Sequence, residues 1–228
     1  MIFLVVLHLF NLIPYEEAKL PQLYNEIQRI STIYRQHKCD EAISDVKFLD
    51  DLNVIFFNYF TKKPIRIKTI NERSQLETKT VYTITENKCL IFLRYNVLAV
   101  AYKDIGYMTK LSKLLSTLHI KMDRLHFSSD VLYRIVNKIG GELVSAKFVM
   151  PTSIGVVEIR GSKLSQTKTF MKWLKEGKLI RIGFIPKNKL KPIRIVYISE
   201  QGSVSITGDF DFKHSIKLLD KILSLSFG

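Results

Sequence analysis

Cysteine is scarce in this chain: two in 228 residues, Cys39 and Cys89, with no C-x-x-C. Two lone cysteines supply neither a disulfide framework nor a zinc site. A reducing cytoplasm is the default for such a chain. Cys89 opens an apolar run and reads as a small core residue, not a nucleophile. Glycine (10) and proline (6) are sparse. With no long polar repeat, that excludes a disordered or fibrous chain. The five histidines, His8, His37, His119, His126 and His214, are scattered without H-x-H, H-x-x-x-H or H-E-x-x-H spacing. No metal centre and no cofactor is expected from them. The chain has no G-x-S-x-G, P-loop, zinc-finger, RNP or KH pattern.

Long hydrophobic runs are also wanting. Met1–Ile13 is apolar but too short to span a bilayer. No basic stretch precedes it and no small-x-small site follows before Pro14, so it does not read as a signal peptide. Ile, Val and Phe dominate it, which suits a buried β-strand ended by Pro14. His8 within it reads as a hydrogen-bonded core histidine. A surface membrane anchor is the alternative reading of the same residues.

What the chain does have is positive charge, +14 in all, unevenly placed. Residues 1–52 carry net −3, residues 53–158 net +8 and residues 195–228 net −1. Between them, Arg160–Arg194 holds eleven Lys/Arg against Glu176 alone, net +10. These are Arg160, Lys163, Lys168, Lys172, Lys175, Lys178, Arg181, Lys187, Lys189, Lys191 and Arg194. Such a stretch suits phosphate backbone, held by point charges with little sequence information. The acidic start suits a different partner, a protein. A solvated basic face with no partner would have the same composition.

Periodicity places these residues on elements. A helix is expected over Leu20–Lys38, then a loop or short helix over Cys39–Asp51. Asn53–Tyr102 reads as β: Val54–Phe60, Ile65–Lys68, Thr78–Thr85 with a suspected bulge, and a hairpin of Cys89–Leu93 with Val97–Tyr102. Asp104 can cap a helix to about Leu118. In the second half, Ser128 or Ser129 caps a helix that Gly140-Gly141 stops. Strands follow at Leu143–Met150 and Ile154–Arg160. Ser165 is expected to cap a helix ending at Gly177, with Lys168, Lys172 and Lys175 on its outer side. Strands at Leu179–Ile185, Ile193–Ser199 and Val204–Thr207 precede a closing helix capped by Asp211. On the first of these, Arg181, Gly183 and Ile185 share one face, and Ile180, Ile182 and Phe184 the other. The fold class is α+β: two modules, 1–124 and 125–228, of mostly antiparallel sheet with helices on one face.

Two constellations bear on chemistry. Tyr59, Tyr82, Tyr95 and Tyr197 are candidates for stacking single-stranded bases. Glu77 and Lys79 have the E-x-K spacing of metal-dependent nucleases, with Asp50 and Asp51 upstream. A small nuclease is therefore the enzymatic alternative to a non-catalytic binding protein.

The order of elements also carries a resemblance. An apolar opening strand precedes the hairpin CLIFLRYNVLAVAY (Cys89–Tyr102). LHFSSDVLYRIVNKIGGELV (Leu125–Val144) and the basic unit EIRGSKLSQTKTFMKWLKEGKLIRIGFIP (Glu158–Pro186) follow. This resembles the catalytically empty accessory proteins encoded beside short prokaryotic Argonautes, and the Lys/Ile-rich style resembles archaeal proteins. The resemblance implies a hetero-oligomer with an Argonaute subunit, replacing its missing N-terminal lobe. It further implies help in holding guide and target strands, DNA or RNA, in defence against invading DNA. It contains no diagnostic motif, so no functional residue is carried over.

Overall fold

The computed structural model describes all residues except 1–2, 15–19, 37–39, 71, 73–74, 102–104, 152–154, 187–192 and 209–211. The apolar opening run forms β1 (Phe3–Pro14), and it is central. It pairs with β11 (Ser203–Gly208) over Phe3–His8 and with β5 (Val97–Val100) over His8–Asn11. It also pairs with β6 (Ile120–Arg124) over Phe10–Pro14. A strand with partners on both edges is not a surface anchor. Among the described residues no helix is long and apolar enough to cross a membrane.

Among the described residues one eleven-stranded sheet runs around β1, and every strand pair in it is antiparallel. On one side lie β5, β4 (Leu76–Phe92), β3 (Val54–Ile70) and β2 (Glu41–Leu49). On the other lie β11, β10 (Ile193–Ser199), β9 (Lys178–Pro186), β7 (Gly141–Val149) and β8 (Val156–Arg160). The α+β class stands. The two sheets expected for residues 1–124 and 125–228 are joined through β1 into one.

Helices cover opposite faces of the two halves. α1 (Leu20–Gln36) and α2 (Ile105–Thr117) close a core with Phe10, Ile55, Phe57, Ile91 and Leu98. α3 (Ser129–Ile139), α4 (Lys168–Glu176) and α5 (Phe212–Phe227) close the other core. There Leu9, Phe148, Leu179, Ile182, Phe184 and Val196 meet Leu132, Phe170 and Leu219. α5 reaches across both halves, where Phe227 stacks on Tyr95 at 5.8 Å.

Several expectations need correction. Residues 41–49 are a strand, not a loop or helix. Asp45 takes a left-handed φ of 54°, and the pairing shifts between Ser44 and Lys47. That bulge hides the alternation of the strand. Ile65–Lys68 and Thr78–Thr85 are parts of two 17-residue strands. Their pairing runs without a bulge from Val54 opposite Phe92 to Ile70 opposite Leu76. β6 fills the span expected to separate two modules. α3 starts at Ser128, whose side chain accepts from the Val131 N–H, and Gly140 stops it at φ +73°. α4 is capped by Thr167, not Ser165: the Thr167 Oγ1 accepts from the Phe170 N–H at 3.2 Å. Leu164–Gln166 is a preceding 3-10 turn. The expected caps Asp104 and Asp211 lie outside the described residues.

Candidate nucleic-acid interface

The sheet divides the basic stretch. Phe170 is fully buried, with its ring 5.8 Å from Phe148, and Trp173 lies 6.0 Å from the same ring. α4 therefore packs on the face shared with α3 and α5. Its outer side carries Lys168, Lys172 and Lys175, all exposed. Lys163 precedes it at φ 51°, exposed, its N–H donating to Glu142 Oε1 at 3.1 Å.

Arg160 and Arg181 are on the opposite face. On β9 a bulge opposite Lys147 and Phe148 turns Leu179, Ile182 and Phe184 inward together. Ile180 leaves the core face, contrary to strict alternation, and Arg181 points away from the helices. Among the described residues no helix covers this side of β7 to β11. Across it runs one row of cross-strand neighbours. The row is Arg160, Ser145, Gly183, Tyr197, Ser205 and Val6.

Tyr197 is the one aromatic in that row, and small residues flank it. Its ring lies over Gly183, where an added Cβ would come 2.5 Å from Cε1. The Arg181 guanidinium is 5.5 Å from the ring centroid, a cation–π contact. Glu158 fixes that guanidinium. It accepts from Arg181 Nη2 at 2.9 Å, Arg160 Nε at 3.1 Å and Ser145 Oγ at 2.9 Å. Arg181 Nε has no hydrogen-bond partner among the described residues. Arg160 keeps its side chain 73% exposed. The result is a half-buried aromatic beside two oriented arginines, its ring covering Gly183 and Ser145 buried next to it.

Burial alone would raise the proton affinity of Glu158. Hydrogen bonds from Arg160, Ser145 and Arg181, with the Arg181 charge, outweigh it and hold the carboxyl at about 2. The folded-state value is depressed below the ordinary 4.5. The stabilisation is thus present above 4.5 and disappears as pH falls towards 2. Glu158→Gln should forfeit on the order of 1 kcal/mol, since solvent screens this half-open site. Thermal midpoints recorded from pH 7 to 2 should fall more steeply for the wild type than for the variant. Parallel profiles would contradict the assignment.

The other candidate residues are dispersed. Lys178 pairs with Glu200. Lys187, Lys189 and Lys191 lie outside the described residues, as does the side chain of Arg194. Tyr59 is buried in the core and Tyr95 is half-buried against Phe227, whereas Tyr82 is exposed. Cys89 is buried, its thiol pushed up to about 12 by burial, against a hydrogen bond with Tyr107 that lowers it. That bears out a core residue. His8 is half-buried and bonded to Arg124 and Ser203. Desolvation first, then the Arg124 charge, lowers its pKa.

The nuclease constellation is not assembled. Asp50 and Asp51 form a turn at the start of β3. Glu77 sits opposite Thr69, fifteen residues further along. At about 3.3 Å per residue that is roughly 50 Å. Glu77 is instead paired with Lys79 at 2.6 Å.

Sequence reasoning named Tyr197 and Arg181 separately. What joins them is Gly183, small enough to let the ring lie flat, and Glu158, which no motif marks. Compared with known proteins, the chain matches no protein-family model and no curated protein.

Proposed function

We propose that this protein is a non-catalytic nucleic-acid-binding subunit whose open sheet face receives an unpaired segment of a strand. The observation that supports this most is the Arg181–Tyr197 stack, set among Gly183, Ser145 and Ser205. Every base has a π-face, so one half-exposed ring takes any base, worth about 1–3 kcal/mol. Arg160, beside it, is placed for a phosphate, and the remaining cations add affinity that salt weakens. The acidic residues 40–51, many of them exposed, are the surface offered to a protein partner. On the resemblance of element order, that partner is a short Argonaute. The subunit would then hold guide or target backbone in the cytoplasm, in defence against invading DNA.

The test is co-purification of the tagged protein from its source cells at low and high salt. The reading expects a stoichiometric protein that survives high salt, with short nucleic acid in the complex. Nucleic acid alone, lost at high salt, would remove the partner. Recovery of neither would remove the reading.

A further inference from the structure

Beyond Lys62 on β3 and before Lys88 on β4, neither strand has another strand beside it among the described residues. The two continue as a free ribbon to Ile70 opposite Leu76. Its apolar side chains are bare: Ile70 is 72% exposed, Leu76 76% and Ile84 74%. Apolar surface this open marks a contact. The ribbon is also basic, with six Lys/Arg against three acids over residues 62–86.

Cross-strand register puts Lys62, Arg66 and Lys68 on one face with Tyr82, Ile84 and Leu76. Lys62 sits 4.0 Å over the Tyr82 ring. Arg66 and Lys68 have no ion pair among the described residues. At the root of the ribbon, on its other face beside α2, is a cleft of about 240 Å³ lined by Lys63, Asn87, Tyr107 and Lys110. Asn87 is 3% exposed, and its amide nitrogen has no hydrogen-bond partner among the described residues. A buried donor without an acceptor costs free energy that a ligand oxygen would relieve.

We propose that the ribbon is a duplex-binding arm, lying along a nucleic-acid groove with Arg66 and Lys68 against the flanking backbone phosphates. This rests on the nucleic-acid reading above and adds a second, separate contact to it. A two-stranded ribbon fits a major groove about 12 Å wide. Nine residues from Lys62 to Ile70 reach roughly 30 Å, or about nine base pairs. The apolar strip meets the base edges while Arg66 and Lys68 reach the phosphates. A regular row of phosphates satisfies both cations together. A bilayer would cover the apolar strip but offers no groove for a two-sided ribbon.

The experiment titrates the full-length protein with three probes: a 20-nucleotide single strand, a 20-base-pair duplex and vesicles of anionic phospholipid. The variant carries Arg66→Glu and Lys68→Glu, both at exposed positions. Duplex affinity should fall at least tenfold. The log–log salt slope should drop by about two, near 0.9 for each phosphate no longer neutralised. Single-strand affinity, carried by Tyr197, should stay within about twofold, with the thermal midpoint unchanged. Unchanged duplex affinity and slope would overturn the arm while leaving the Tyr197 reading intact. Loss of vesicle binding with duplex binding retained would overturn it in favour of a membrane contact. A wild type that binds neither nucleic acid would overturn both readings. A second variant replaces residues 65–81 with Asn-Gly between Pro64 and Tyr82. It removes no residue described as buried and should reproduce the duplex loss.

Discussion

Leu9→Ala should destabilise the whole chain by about 3–4 kcal/mol, and both halves should unfold together. Leu9 is fully buried in the larger core. Its backbone N–H donates to Gly202 O at 2.8 Å, and its carbonyl accepts from Leu125 at 3.0 Å. Ala99 pairs with it from the other side. A buried Leu→Ala costs about 2–5 kcal/mol, more where the site cannot collapse. β5, the β10–β11 turn and the segment after β6 converge on this residue, so collapse would have to move all of them. For a chain of this size the shift in midpoint is roughly 10 °C. The only tryptophan, Trp173, reports on the C-terminal half, and circular dichroism reports on both. The two signals should give one coincident transition before and after the substitution. If Trp173 kept its midpoint while circular dichroism shifted, the halves would be independent units. Deleting residues 1–13 is the extreme form and should give insoluble protein, not a protein released from membranes.

Gly202→Ala should be nearly as damaging, and Gly140→Ala should not. Both glycines have left-handed φ, +66° and +73°. An alanine in that region costs about 1–2 kcal/mol at either place. At Gly140 an added Cβ meets nothing within 4 Å. At Gly202 it would lie 2.3 Å from the Leu125 carbonyl oxygen. That oxygen is backbone, tied to β1 through the Leu125–Leu9 hydrogen bond, and cannot swing aside. Gly202→Ala must therefore part β6 from the β10–β11 turn, for a total on the order of 3 kcal/mol or more. Denaturant midpoints of the two variants measure the difference. Equal costs would mean that the close approach to Leu125 does not govern this turn.

Much of the fold was legible because the physics is local. The Ile/Val/Phe run of β1 needs cover on both faces, and a central strand supplies it. Ser128 and Gly140 bracket α3 by capping alone. Other parts depend on remote neighbours. The bulge at Asp45 breaks the alternation that would have revealed β2. On the ribbon neither face is buried, so Val81 and Ile84 follow no inward pattern, and the register shows only in the paired strands. β6 is five residues long, with Lys121 and Asp123 in its middle, too short to stand out until β1 is placed beside it.

The basic stretch is the instructive case. Charge counted along the chain joins Lys172 to Arg181, but a helix and then a strand send them to opposite sides of one sheet. What organises the open face is Tyr197 over Gly183, fourteen residues apart in sequence and adjacent across two strands. Composition pointed to a polyanion, and only pairing shows where an aromatic waits beside the cations.

The central claim is tested most directly by titrating a fluorescent 20-nucleotide single strand with the wild type and with Tyr197→Ala, over a series of salt concentrations. Loss of one base stack should weaken binding about 10–100-fold at every salt. The salt slope should stay unchanged, because every phosphate stays neutralised as before. Equal affinities for the two proteins, with thermal midpoints showing the variant folded, would contradict the assignment of this face.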